Sequence, residues 1–275
     1  MKTQVAEKSR NDWDDIAAGY DEFVTPTHMW LANEGLRRVR LGSGLRFLDV
    51  AAGSGALSIP AARRGAKVTS VDLSGTMIAQ LSARAEKEGV SLDCRVMDGH
   101  DLDLPDNSFD ISGSQFGVML FPDLPRGLRE MVRVTKPGGR VLLHVYGPPQ
   151  QIDFLGFFIG AIKSVVPDFT GLPDDPVPLP FQVADPDKLR SEMEGAGLKD
   201  VLIETITESL EFRTGAQMWD WVLNSNPIPG MLVADLSEAQ QSAVRQGLED
   251  RIRDRADANG VATLTNPIHI AIGTK

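Results

Sequence analysis

Three carboxylates stand at or just past the ends of three short extended runs in the first part of the chain. They are Asp49 in Arg46-Phe47-Leu48-Asp49-Val50, Asp72 closing Lys67-Val68-Thr69-Ser70-Val71-Asp72, and Asp98 after the run at 91–96. Asp49 is followed by Ala51-Ala52-Gly53-Ser54-Gly55, small residues that let backbone approach a ligand closely and lead into a helix start with unpaired N–H groups. A dinucleotide fingerprint wants a third glycine where Ser58 stands, and the charge of Asp49 would oppose a pyrophosphate, so the pattern argues against NAD. Asp72 follows Asp49 by 23 residues, near the spacing at which a carboxylate accepts from both hydroxyls of a ribose. Asp98, beside Gly99, is a further acceptor. The three acids make a rim for a ligand that carries an ammonium, a ribose and an exocyclic amino group. Read blandly, Asp49 and Asp72 only cap helices.

The elements that must position these residues alternate. Strands are expected at 46–50, 67–72, 91–96, 109–114 and 140–146, with helices at 56–64, 76–88 and 125–134 between them. Ser74 would cap the second helix, where Met77, Ile78, Leu81 and Ala85 recur at helical spacing. Lys136-Pro137-Gly138-Gly139 reads as a turn before the 140–146 strand. Beyond Tyr146 come an apolar helix at 154–166, a proline-rich stretch at 167–186, helices at 187–195, 216–223 and 237–259, and strands at 201–212 and 263–274. The expected division is a helical lid at 1–44 containing Trp13, Tyr20, Phe23, Met29 and Trp30, a core at 45–146, a cap inserted at 147–186, and completion of the sheet at 187–275.

Charge and composition narrow the functions. With 28 Lys+Arg against 38 Asp+Glu, net charge −10, the chain lacks the surface that phosphate backbones require, so no nucleic-acid partner is expected. One cysteine, Cys94, and four scattered histidines, His28, His100, His144 and His269, offer no ligand cluster at zinc spacing, and no metal is expected. The charged first 15 residues do not read as a signal peptide, and the apolar stretch at 154–166 is too short to span a bilayer. The expectation is a cytoplasmic protein without integral membrane association.

S-adenosylmethionine carries the amine, the ribose and the adenine amino group, with its positive charge at sulfur. The motifs Leu48-Asp49-Val50-Ala51-Ala52-Gly53-Ser54-Gly55, Val71-Asp72-Leu73-Ser74-Gly75-Thr76-Met77, Met97-Asp98-Gly99, Leu104-Pro105-Asp106-Asn107-Ser108-Phe109-Asp110, and Glu130 through Arg133-Val134-Thr135-Lys136-Pro137-Gly138-Gly139 together resemble the class I S-adenosylmethionine-dependent methyltransferases. Gln115-Phe116-Gly117-Val118-Met119-Leu120-Phe121-Pro122-Asp123 is similar to the corresponding segment of the ubiquinone/menaquinone biosynthesis methyltransferases and their small-molecule relatives. The resemblance implies an α/β, Rossmann-like doubly wound sheet, mostly parallel with an antiparallel last strand. It further implies that Asp49, Ala51 and Gly53 hold the methionine end of the cofactor, Asp72 the ribose, Leu73 and Met77 the adenine ring, and Asp98 beside Gly99 the adenine amino group. Gln115 would lie near the methionine moiety, and Tyr20 would close over the cofactor. Ala51 replaces a usual glycine, which an alanine can do if its φ is negative.

The expected function is methyl transfer to a small, apolar or aromatic acceptor at carbon, oxygen or nitrogen. The alternatives are a non-catalytic binding or assembly protein that keeps the fold, and an NAD-dependent oxidoreductase opposed by Ser58 and Asp49. For proton removal His144 is favoured as base, with Tyr20 positioning cofactor or acceptor, against the default of a packed core histidine. His100 reads as a solvated loop residue and Met77 equally as helix core. Phe157 and Phe158 are the expected acceptor contacts, because 154–166 is apolar on two sides and so is buried, covers an apolar ligand, or joins a second copy of the chain in a homo-oligomer.

Overall fold

The computed structural model describes residues 2–173 and 175–275, the first five as backbone alone; Met1 and Asp174, within the expected lid and cap, lie outside the described residues. β1 (Arg46–Val50) pairs in parallel with β2 (Lys67–Asp72) on one side and β4 (Phe109–Gln115) on the other, and β3 (Asp93–Val96) and β5 (Thr135–Tyr146) extend the sheet outward. β7 (Ala262–Thr274) joins β5 antiparallel and β6 (Lys199–Phe212) joins β7 antiparallel, giving the order β3-β2-β1-β4-β5-β7-β6. Residues 47–50 and 141–146 are buried throughout, as interior strands covered on both faces must be.

α3 (Ser58–Arg63) and α4 (Gly75–Glu88) carry the chain from β1 to β3, while α5 (Leu124–Val134) carries it from β4 to β5. Right-handed crossovers leaving β1 in opposite directions place these two sets on opposite faces. The Ser74 side chain accepts from the Met77 N–H and starts α4, and Gly89, at φ 66°, ends it. Two expectations shift. The helix after β1 begins only at Ser58 because the turn of small residues runs further than expected. The Lys136-Pro137-Gly138-Gly139 cluster lies inside β5, where the register against β4 slips from Phe109↔Thr135 to Ile111↔Arg140. Gly138, at φ 76°, absorbs the extra residues as a bulge.

α1 (Lys2–Gly19) and α2 (Thr25–Arg38) precede the sheet, joined by a π-helical turn at Tyr20–Val24. Polar side chains tie them down. The Ser74 hydroxyl donates to Asp14 Oδ1 at 2.5 Å, Arg84 Nε donates to Asp21 Oδ1 at 2.8 Å, and the Thr25 and Ser54 hydroxyls meet at 2.5 Å. After β5 follow α6 (Asp153–Val165), α7 (Pro186–Gly195), α8 (Gly215–Ser225), α9 (Pro227–Val233) and α10 (Glu238–Arg255). The Asp153 carboxylate, at the start of α6, accepts the N–H of Thr265 at 2.9 Å and so fixes that helix to β7. Among the described residues no helix is long and apolar enough to cross a membrane.

Candidate active site

A cleft of about 410 Å³ opens beyond the carboxyl ends of the parallel strands, where the crossovers part to opposite faces. Ala51 and Gly53 reach it from the turn after β1, Asp72 and Leu73 from the end of β2, Met77 from α4, Asp98, Gly99 and His100 from the segment after β3, and Gln115 from the end of β4. Trp13 and Tyr20 line it from the N-terminal helices. The Asp72 carboxylate accepts from Gly53 N–H at 2.8 Å and Ser74 N–H at 2.9 Å, which fixes it and leaves lone pairs free. Burial raises its pKa, and those two N–H groups oppose the rise. Asp98 Oδ1 accepts from the His100 backbone N–H at 2.9 Å and lies 2.7 Å from His100 Nδ1; this ring holds the Asp98 carboxyl below its ordinary range. His100 is therefore part of the cleft wall rather than a solvated loop residue.

Asp49 is not in that wall. It is fully buried beneath the turn, with Oδ2 accepting from the Ser58 hydroxyl at 2.6 Å and Oδ1 without a partner. Loss of water around the carboxylate pushes its pKa up to about 7 from 3.8. A carboxyl raised on folding favours the native state fully below its unfolded pKa of 3.8, and that contribution is lost as pH rises through about 7. Asp49→Asn, which keeps an acceptor for Ser58 without the charge, should flatten the decline in melting temperature across this window. A wild-type-like slope in the variant would show that Asp49 carries no such penalty.

Ala51 has φ 56° and Phe116 φ 58°, so the condition of a negative φ under which alanine replaces glycine without strain is not met at Ala51. A Cβ added at Gly117 would fall 2.5 Å from the Ala51 Cβ, so the turns after β1 and β4 press together and hold the strained backbone. Ala51→Gly should relieve about 1–2 kcal/mol of left-handed strain and give back about 0.4–1 kcal/mol through the more flexible unfolded chain. The expected net is a slightly higher midpoint in urea unfolding; a lower midpoint would mean that the alanine methyl packs usefully.

A second chamber of about 60 Å³, mostly apolar but with His28, Ser225 and Asn226 in its wall, adjoins the cleft and shares Trp13, Tyr20, Phe116 and Leu120 with it. Phe154, Leu155 and Phe158 of α6 line it, as do Pro180 and Phe181 and, from α8 and α9, Val222, Ile228 and Pro229. Phe157 does not line it. One position further round the helix, it is half-buried against the general core, so its expected acceptor contact is corrected. Tyr146 stacks on Phe116 with ring centroids 4.5 Å apart and forms another wall.

His144 lines neither space. It is fully buried in β5, its Nδ1 2.8 Å from Gln115 Oε1, and burial brings its pKa down to about 3. It stays neutral and fixes the Gln115 amide, whose nitrogen donates to the His28 carbonyl at 3.2 Å. The expected base is thus corrected to a residue that orients Gln115. Tyr20 lies against the turn after β1, 3.5 Å from where a Cβ at Gly53 would sit, and burial with the Asp72 and Asp49 charges raises its phenol pKa, so it remains protonated. Sequence reasoning missed His28, which lines the apolar chamber, and Glu208, which stands 3.2 Å behind it. Both had a signal, being polar residues in phase with buried apolar neighbours on α2 and β6.

Residues 48–143 match the family model of a methyltransferase domain. Over 101 residues the chain is 43% identical to an uncharacterized protein of Mycobacterium tuberculosis, covering 37% of each, so it matches little more than a third of that relative's length. Over 225 residues it is 28% identical to the ubiquinone/menaquinone biosynthesis C-methyltransferase UbiE of Geotalea daltonii, covering 74% of this chain and 94% of that one. The crystal structure of the YcgJ protein of Bacillus subtilis superposes with a TM-score of 0.57 at 17% identity over 89% of this chain and 97% of the other, a likeness of fold. Strand order and cleft agree with that match: residues 48–143 resemble a methyltransferase domain set in a Rossmann-like sheet.

Proposed function

We propose that this protein transfers the methyl group of S-adenosylmethionine to a small, largely apolar acceptor. The observation that carries this reading is the continuity of the carboxylate-rimmed cleft with the apolar chamber through four shared wall residues. The donor set suits the cofactor. Asp72 and Asp98 present carboxylate lone pairs for a ribose diol and an exocyclic amino group, Leu73 and Met77 give an apolar slot, and Gly53 leaves bare backbone beneath the Tyr20 ring. Gln115, Ala51 and Gly53 would hold the methionine end, with the Asp49 carboxyl one layer below.

When bound, the cofactor supplies an activated methyl group on a sulfonium leaving group. The chain's own work is then alignment and exclusion of water. Tyr20 and Trp13, meeting edge to face at 5.9 Å, close the junction between the two spaces from the N-terminal side, while Phe154 and Phe158 hold an apolar acceptor from the α6 side. The relative named for C-methylation in ubiquinone and menaquinone biosynthesis brings quinols into the range of acceptors to test. The test is a screen of lipophilic phenols, quinols and amines with S-adenosylmethionine, read as product mass. A product one methyl heavier is expected; cofactor binding without any methylated product across the screen would favour a binding protein.

A further inference from the structure

A buried acid with no lysine or arginine ion pair among the described residues stands behind the acceptor chamber. Glu208 falls on β6 in phase with Leu210 and Phe212, on the face turned to the core, and is fully buried. Its register partner on β7, Asn266, donates an amide N–H to Oε2 at 2.9 Å. His28 Nε2 lies 3.2 Å from Oε1. A buried carboxyl is stabilised by polar neighbours such as these, and an imidazole with Nε2 turned to it has Nδ1 on the other side of the ring. Both ring nitrogens of His28 and Oε1 of Glu208 are buried with no aligned hydrogen-bond partner, so ring and carboxyl meet by proximity at 3.2 Å and Nδ1 has no protein group facing it. The same ring lines the chamber, 4.9 Å from the ring of Phe116 and 6.0 Å from that of Trp221. Gln115, itself in the cofactor cleft, grips the His28 carbonyl, so one hydrogen bond couples this ring's backbone to the cleft.

We propose that His28, held by Glu208, takes the proton of an acceptor hydroxyl, and that the acceptors are flat apolar molecules bearing an acidic O–H, phenols or enols, rather than amines. This rests on the methyl-transfer reading and deepens it. The acceptor oxygen gives its proton to His28 Nδ1 and forms its bond to the methyl carbon as the carbon–sulfur bond breaks, the pair of that bond remaining on sulfur. Positive charge passes from the sulfonium to the imidazolium, where Glu208 stabilises it, and the products are a methyl ether and a thioether. A neutral amine attacks without first losing a proton and so depends less on the dyad than a hydroxyl does. The groups around the ring are Glu208 on β6, Asn266 on β7, Tyr146 and His144 on β5, and Tyr20 at the head of the π-helical turn.

The test uses 4-nitrophenol, whose neutral and ionised forms absorb differently. Bound to the wild-type chain below its own ionisation range, it should show the phenolate spectrum, and His28→Gln should bind it as the neutral phenol. Glu208→Gln should move the spectral titration toward higher pH. A neutral spectrum in the wild type overturns the proposal without any variant. In single turnover with S-adenosylmethionine, His28→Gln should lose about 10²–10⁴-fold with a weakly acidic alkylphenol but only a few-fold with pre-ionised 4-nitrophenolate. Equal losses on both acceptors would make His28 structural and overturn the inference. A wild type that methylates amines or carbon acids but no phenol sinks this inference and leaves the transfer reading standing. Capture of the phenolate with no transfer to any acceptor does the reverse.

Discussion

Asp72→Ala should bind S-adenosylhomocysteine about tenfold to a hundredfold more weakly than the wild-type chain. The Asp72 carboxylate is held by the N–H groups of Gly53 and Ser74, so its remaining lone pairs face the cleft at no orientational cost. A hydrogen bond to a charged group is worth about 1.5–3 kcal/mol, which corresponds to that range of affinity. Asp72→Asn is no milder, because its amide nitrogen would face one of the two N–H donors. Calorimetry with an analogue lacking both ribose hydroxyls separates recognition from damage to the turn. Wild type and variant should bind this analogue alike, and an unchanged affinity of folded Asp72→Ala for S-adenosylhomocysteine would remove the ribose assignment.

The second large effect is expected in α6. Phe158 is 1% exposed, its ring 6.1 Å from that of Trp219, and it lines the apolar chamber proposed for the acceptor. Its removal should cost about 3–5 kcal/mol of stability and raise the acceptor KM, while cofactor affinity changes little. Phe157→Ala, outside the chamber, should leave the acceptor KM near the wild-type value. Phe158→Leu keeps most of the packing and serves where the alanine variant does not fold. Urea unfolding and acceptor kinetics check the pair; a KM that responds to Phe157 and not to Phe158 would mean that the acceptor lies elsewhere.

The sheet and the cofactor cleft were legible because their signals are local. An apolar run, a turn of small residues, a capping Ser74 and a carboxylate at a strand end lie within a few residues of one another, and backbone geometry converts each into a position. Orientation within an element was less legible. Phe157 and Phe158 are equally apolar neighbours on one helix, and only the packing of α6 against α10 and β7 decides which meets the chamber. Asp49 lies between Leu48 and Val50 on a strand buried on both faces, so alternation alone could not tell that its carboxyl drops beneath the turn to Ser58. His144 looked available near the end of β5, yet its register partners Gln115 and Ile270 enclose it. The pairing of His28 with Glu208 depends on strand order. Each residue stands out as a polar group on an apolar face, but only the placement of β6 beside β7 brings the acid to the N-terminal helices.

The most direct measurement of the central claim is a single turnover with S-adenosylmethionine labelled in its methyl group, in the presence of a lipophilic phenol and with both products quantified. The account predicts label on the acceptor and one S-adenosylhomocysteine for each methyl transferred. Label that stays on the cofactor while an acceptor that binds is left unchanged would contradict it.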